Sequence, residues 1–292
     1  MAKETELKIL VTGGSGFTGY ALINLLLAHG HDVINIDKNP SGIRGIKEIC
    51  HDLTYPLTNL YEEIDLCIHL ASGTGGVLYN QNSNVVEYNS MINKYICDIC
   101  NSNNIHRFIF FSSLAACEQD CKDLSKAPVI PPNNMYAFSK WKGEIYFQGR
   151  FKSLAVVRPA NIFGKAQLSH FFSYGESHVI PDLIHKIQNE DEVEVWGDGS
   201  QTRNFIHVSD ICDFILSILN FDHSYKCYNL ASTMTYTIKE LVEDLITFVG
   251  KPNVKVKFNE SYMKYEFSSY AKIVQNITPI GKIQNLLEGL KT

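Results

Sequence analysis

Apolar positions along the first half of this chain come in short blocks separated by longer periodic stretches. Leu7–Val11 (Leu-Lys-Ile-Leu-Val), Asp32–Asp37 (Asp-Val-Ile-Asn-Ile-Asp) and Arg107–Phe111 (Arg-Phe-Ile-Phe-Phe) are brief apolar-rich runs of the kind a parallel sheet buries on both faces. Tyr20–Ala28 and Val86–Asn101 instead space their apolar residues for one face of a helix, and Gly30 stands where the first helix should be capped. Helical spacing returns in Ala137–Arg150 and Val179–Gln188, while Glu192–Val195 reads as a strand. Strand and helix patterns alternate from Leu7 to about Gly164, which predicts right-handed βαβ units on a doubly wound parallel sheet. The expected division is a main α/β domain over residues 1–165, with a return segment at about 204–235. Residues 166–292 are expected to form mainly a smaller C-terminal α/β substrate lobe, beginning with a looser stretch from Lys165 to Glu176.

Between the first strand and the first helix lies Val11-Thr12-Gly13-Gly14-Ser15-Gly16-Phe17-Thr18-Gly19, a Gly-x-x-Gly-x-x-Gly loop. Glycines there let the backbone turn sharply and approach a pyrophosphate, and the helix start favours negative charge. Gly13, Gly16, Phe17, Thr18 and Gly19 are therefore candidate cofactor contacts in a Rossmann-type fold. Asp37 ends the second strand roughly 20 residues beyond the loop, where a carboxylate accepts hydrogen bonds from the adenosine ribose. A carboxylate repels a 2′-phosphate, so the expected cofactor is NAD rather than NADP.

A second motif, Tyr136-Ala137-Phe138-Ser139-Lys140, follows a strand that ends in Ser112-Ser113. Residues four apart share a helix face, so Lys140 can reach toward Tyr136. An ammonium beside a phenol favours phenolate, which predicts a lowered Tyr136 pKa and a usable general acid–base group. Ser113 sits at the carboxyl edge of the sheet, where ligands of open α/β sheets bind. Ser113, Tyr136 and Lys140 are thus the candidate catalytic residues.

With these motifs in place, the chain resembles the extended short-chain dehydrogenase/reductases, specifically the NAD-dependent epimerase/dehydratase group that acts on nucleotide sugars. The resemblance extends to His51-Asp52-Leu53, similar to the family's adenine-contacting Asp-Leu, and to His69-Leu70-Ala71-Ser72, similar to its strand end beside the cofactor. It also includes Asn89 on the helix before the serine strand and Val157-Arg158-Pro159-Ala160-Asn161-Ile162-Phe163-Gly164. It implies that Asp52, Leu53, Leu70, Ala71, Ser72, Asn89 and Pro159 join Tyr136 and Lys140 around NAD, and that Asn161 opens the substrate site. The stretch Trp196–Asp210 resembles the family's Gly-Asp-Gly-x-x-x-Arg-Asp-Phe-x-His-Val-x-Asp segment, which implies that Arg203 holds a substrate diphosphate; a guanidinium fork suits phosphate oxygens. By the same resemblance, the helices Glu87–Asn101 and Ala137–Arg150 would pair with a second copy in a homodimer, while the plain reading keeps them as core helices of a monomer.

The family's reactions differ in what stands two residues beyond the serine. Dehydratases and decarboxylases carry acids there, and 3,5-epimerases and GDP-fucose synthases a cysteine, whereas this chain has Ala115. That leaves redox chemistry at sugar C4: a nucleotide-sugar 4-epimerase foremost, or a 4-dehydrogenase or 4-keto-reductase. Ser177-His178-Val179-Ile180-Pro181 and Val195-Trp196-Gly197 resemble segments of GDP-fucose synthases, which brings in His178 and Trp196 as substrate residues and leans toward GDP over UDP. His178 reads equally well as a residue just outside a helix N-terminus. A rival of a different class is a non-catalytic NAD-binding sensor or scaffold, against which Ser113, Tyr136 and Lys140 argue.

Composition changes this picture little. In 292 residues, 45% are hydrophobic and 20% charged, ordinary for a globular enzyme. A net charge of −5 recommends no nucleic acid, and no apolar run reaches membrane-spanning length. The polar start Met1–Glu6 reads as no signal peptide, so the expected location is cytoplasmic. The eight cysteines are irregularly spaced and read as thiols. Cys97 and Cys100 lie within a helical stretch with no second pair at zinc-ribbon spacing, so no metal is expected; Cys117 and Cys121 read as bystanders.

Overall fold

The computed structural model describes residues 6–57, 60, 62–117, 130–165, 177–232, 235–262, 278–279 and 285–291. Cys121 and nearly all of the stretch expected to be looser, from residue 166 on, lie outside them. The strands are β1 (Lys8–Thr12), β2 (Asp32–Asp37), β3 (Lys47–Cys50), β4 (Leu66–His69), β5 (Arg107–Phe111), β6 (Ser153–Pro159), β7 (Asn161–Phe163), β8 (Glu192–Trp196), β9 (Thr202–His207), β10 (Lys226–Ala231), β11 (Thr235–Thr237), β12 (Lys255–Asn259) and β13 (Thr278–Pro279). The helices are α1 (Phe17–Ala28), α2 (Val77–Asn80), α3 (Asn84–Ser102), α4 (Met135–Phe147), α5 (Val179–Asn189), α6 (Val208–Ser217), α7 (Ile238–Val249) and α8 (Leu286–Gly289).

The main sheet has the order β13-β10-β6-β5-β4-β1-β2-β3, with every pairing parallel. Its central part is the doubly wound Rossmann order, with the switch point between β1 and β4. Alternate side chains face opposite layers, as the pleat demands. Ile9 and Val11 of β1 pack toward α1 and α6, with Leu22, Ile23, Leu26, Ile211 and Ile215. Leu10 packs on the other side with Ile92, Ile96 and Ile99 of α3 and Phe147 of α4. The expected run for α1 began at Tyr20; the helix starts three residues earlier, inside the glycine motif, and ends as expected before Gly30, whose φ is +80°.

A smaller region has its own core of Phe163, Ile184, Ile187, Val193, Val195, Phe205, Leu241 and Leu245. It holds a three-stranded sheet, β11-β9-β7, and the parallel pair β12-β8. The chain crosses between the two regions at places other than those expected. β7 and β9 both belong to the small sheet, β7 before the expected boundary at residue 165, and the return to the main domain runs from Ile206 at the end of β9 into α6. β13, expected in the lobe, adds to the main sheet beside β10. Successive residues of β9 enter different cores, Phe205 that of the small region and Ile206 that of the main sheet with Ile211 of α6, and this places the crossing at the end of β9. Among the described residues, no helix is long and apolar enough to cross a membrane.

Candidate active site

The carboxyl ends of the central strands open into one cavity of 1080 Å³ that runs on to the small region. On its first wall the β1–α1 loop is pressed against the end of β4. Gly13 has a φ of +77°, and a Cβ there would lie 2.7 Å from the Ala71 nitrogen. At Gly19 a Cβ would meet the Gly13 carbonyl oxygen at 2.2 Å. These contacts are with backbone, so only glycine lets the loop close. Gly16 caps α1 without offering a side-chain oxygen to its first turn, which therefore presents a helix N-terminus to the cavity. The Asp37 carboxylate is fixed beside the loop by the amides of Ser15 at 3.1 Å and Asn39 at 3.0 Å. Asp52 and Leu53 line the same wall; the backbone and hydroxyl of Thr54 hold the Asp52 carboxyl below its usual range. This cradle, with its helix terminus and carboxylate, fits a dinucleotide.

Behind the loop runs a buried relay. Ala71 N donates to Thr12 Oγ1 at 3.2 Å, Thr12 Oγ1 meets His69 Nδ1 at 2.6 Å, and His69 Nε2 meets Asn93 Oδ1 at 3.1 Å. Asn93 Oδ1 can only accept, so Nε2 carries the proton and Nδ1 accepts from Thr12. Burial among Phe108, Phe110 and Phe147 pushes the His69 pKa down to about 3 and keeps the ring neutral.

The floor of the cavity carries Ser113, Tyr136 and Lys140. The Asn134 side chain accepts from Ala137 N at 3.0 Å, starting α4 so that Tyr136 falls in its first turn. Tyr136 lines the same part of the cavity as Thr74 and Ser113. Lys140 Nζ donates to the Phe111 carbonyl at 2.9 Å and lies 5.7 Å from the centre of the Tyr136 ring. The expected lowering of the Tyr136 pKa is not found. Burial raises it, against the smaller pull of Thr74 and Ser113, and burial takes Lys140 down to about 7. Desolvation outweighs the pull of Thr74 and Ser113 on Tyr136 and of the Glu144 carboxylate on Lys140, so both groups shift toward their neutral forms.

Ser112, buried at the end of β5, donates to Glu144. Glu144 also accepts from Arg158 Nε at 2.9 Å and Nη2 at 2.6 Å, a bidentate pair with both side chains fully buried. The sequence reading missed Glu144, although it lies one further helical turn beyond Lys140.

The opposite wall comes from the small region. Asn161 on β7, His178 at the N-cap of α5, Trp196 at the end of β8 and Arg203 on β9 all line the cavity, as does Pro159 at the end of β6. Asn161 Nδ2 donates to the Asn204 carbonyl at 2.9 Å, and Arg203 Nη1 to the Thr202 carbonyl at 2.8 Å. Two residues here were not anticipated. Lys186 pairs with Asp182 at 2.8 Å, and both are buried on α5 with the lysine 5.9 Å from the centre of the Trp196 ring. Their i,i+4 spacing was visible, but such pairs usually sit on solvated faces. Leu70, Ala71 and Ser72 line the cavity as well. Asn89, expected at the cofactor, does not. It is buried beneath the loop after β4, where it accepts from Gly73 N at 2.7 Å and donates to Gly73 O at 3.1 Å. Both ends of its amide are taken up by protein, and this keeps it from the cavity.

A parallel doubly wound sheet with a glycine loop at its switch point and a Tyr–Lys pair on the next wall defines a dinucleotide-dependent enzyme of the Rossmann class. Residues 9–231 match the NAD dependent epimerase/dehydratase family, and the chain belongs to that family with NAD as its cofactor. It is 27% identical to the GDP-6-deoxy-D-talose 4-dehydrogenase of Aggregatibacter actinomycetemcomitans, over 96% of this chain and 91% of that one. It is 25% identical to the dTDP-4-dehydro-6-deoxy-D-allose reductase of Streptomyces bikiniensis, over 84% and 82% of the two chains. Its fold is that of the UDP-glucose 4-epimerase of Thermotoga maritima solved with UDP-glucose, with a TM-score of 0.74 at 22% identity over 98% and 96%.

Proposed function

We propose that this enzyme oxidises or reduces C4 of a GDP- or UDP-linked sugar, with Tyr136 as the acid–base group. The observation that carries the reading is the floor of the cavity. Ser113 and Tyr136 offer hydroxyls to a substrate oxygen, while Ala115 beside them brings only a methyl group where a second proton donor would be needed for dehydration or C3/C5 epimerisation. NAD, when bound, supplies the hydride acceptor or donor. The glycine loop, Asp37, Asp52 and Leu53 would hold it. Ser113 would orient the C4 oxygen, and Lys140 would support the phenolate once a ligand's charge enters the pocket. Arg203 would take the diphosphate, with His178, Trp196 and Asn161 at the sugar and base.

Two reactions satisfy this arrangement. A 4-epimerase returns the hydride to the opposite face of the same sugar; a 4-dehydrogenase or 4-keto-reductase releases the product after one transfer. The likeness to a GDP-6-deoxy-D-talose 4-dehydrogenase along 96% of the chain favours the second and a GDP-linked substrate. The reading also includes a homodimer through α3 and α4, which pack together and leave Met91 and Ile145 exposed. The deciding experiment incubates the NAD-loaded protein with UDP-, GDP-, dTDP- and CDP-sugars. Expected is turnover of a GDP- or UDP-sugar, with a C4-inverted product marking an epimerase and NADH absorbance a dehydrogenase. Turnover of none of them would sink the proposal.

A further inference from the structure

The Asp182–Lys186 pair of α5 lines the cavity from the small region but takes no part in the proton and hydride chemistry at Tyr136. Both residues are buried. Lys186 Nζ lies 2.8 Å from Asp182 Oδ2 and donates to the Glu194 carbonyl of β8 at 3.3 Å. The centre of the Trp196 ring, at the end of the same strand, is 5.9 Å from the ammonium. A buried ion pair gives up its hydration and gains little net stability in return. The neighbouring face of α5 is apolar, with Leu183, Ile184 and Ile187 in the core of the small region. At the cavity wall the pair instead sets a fixed carboxylate and a fixed ammonium side by side.

Other carboxylates that line the cavity are committed elsewhere. Glu194 accepts from Asn259 Nδ2 of β12 at 3.0 Å. Asp37 is held by the amides of Ser15 and Asn39, and Asp52 by Thr54, on the opposite wall. Asp182 shares its wall with Arg203. Each stands two residues before a member of one core, Ile184 and Phe205, so both are set over the same packed layer.

We infer that Asp182 reads the base of the nucleotide sugar and selects guanine, with Lys186 fixing the carboxylate and Trp196 offering a face to the ring. This rests on the reading of the cavity as a nucleotide-sugar site. An ionised carboxylate only accepts hydrogen bonds. Guanine presents two neighbouring N–H donors, at N1 and the 2-amino group, which match the two carboxylate oxygens. Its O6 acceptor lies next to N1, where an adjoining ammonium is favourable. Uracil and thymine present a single N3–H between two carbonyl oxygens that a carboxylate repels. Cytosine and adenine present an amino group beside a ring nitrogen that can only accept. The pair therefore chooses the nucleotide while Tyr136 acts on the sugar.

The test is calorimetric titration of the NAD-loaded protein with nucleoside diphosphates, which needs no turnover. GDP should bind about tenfold to a hundredfold tighter than inosine diphosphate, which lacks the 2-amino group and so loses one hydrogen bond to a charged acceptor. GDP should also bind tighter than UDP and dTDP. Asp182→Asn should lose the preference for GDP over inosine diphosphate and gain one for xanthosine diphosphate. The 2-carbonyl of xanthine accepts from a side-chain amide, while its N1–H donates to the amide oxygen. An ion pair that only stabilised α5 would change all diphosphates alike and could not move the preference to xanthine. In the unaltered protein, equal affinity for GDP and inosine diphosphate, or UDP bound as tightly as GDP, overturns the inference. An Asp182→Asn protein that still prefers GDP to xanthosine diphosphate overturns it as well. A sugar panel with no turnover would remove the C4 chemistry alone, and these titrations would still decide for or against Asp182.

Discussion

On one wall of the cavity Gly13 and Gly19 bring backbone against backbone, and the fixed points are amides: Ser15 N and Asn39 N on Asp37, Ala71 N on Thr12. On the other wall the groups that face the cavity are long side chains, Arg203, Trp196, Lys186 and His178, set on short strands and one helix of a separate core. The first wall tolerates almost no change because its shape is made by atoms every residue shares. The second can change its chemistry one side chain at a time, because the positions beneath are held by Phe205, Val195 and Ile184. A common cofactor and a variable substrate are what such a division suits.

The comparison can be broken most sharply where the walls meet. Tyr136→Phe keeps the ring and the helix but removes the proton carrier; turnover should fall about a hundredfold to ten-thousandfold while NAD affinity barely changes. Near-normal turnover would mean that the floor of the cavity is not where the proton moves. Next comes Arg203→Ala, expected to weaken every nucleotide sugar by of order 2–5 kcal/mol and to leave NAD binding intact, as calorimetric titration with each ligand would show. An equal loss for NAD would erase the distinction between the walls. Gly19→Ala should do the opposite. Its methyl group would collide with the Gly13 carbonyl, costing about 1–3 kcal/mol of stability and lowering NAD affinity, with nucleotide-sugar binding to the NAD-free protein less affected.

The smallest effect is read as a slope. His69 binds its proton only near pH 3 in the folded chain but near its ordinary 6.5 when unfolded. The unfolded state therefore takes up more protons between those values, and stability falls as pH drops through the window. Linkage puts the loss at about 2 kcal/mol from pH 7 to pH 5. His69→Gln should flatten that part of a Tm-against-pH curve. An unchanged slope would mean that the relay behind the glycine loop does not govern acid stability.

Much of the first wall was legible before any coordinates. β2 and β5 have the bounds their apolar runs suggested, because strands buried on both faces must be apolar throughout. Glycines that meet backbone leave a mark that no other residue can imitate. The second wall was legible only in isolated residues: His178, Trp196 and Arg203 line the cavity, while Lys186 and Asp182 were passed over as an ordinary helical pair.

Local sequence by itself determined the strand–glycine–helix unit, the Tyr–Lys spacing and the alternation that builds a parallel sheet, since each depends on neighbours a few residues apart. Only the tertiary structure decided that Asn89 clamps a loop instead of facing the cavity, and that Glu144 is spent on Arg158 and Ser112. It also decided that Tyr136 and Lys140 both shift toward their neutral forms. Each of those depends on which distant groups exclude water and which accept a hydrogen bond, and these are consequences of packing that residue spacing does not record.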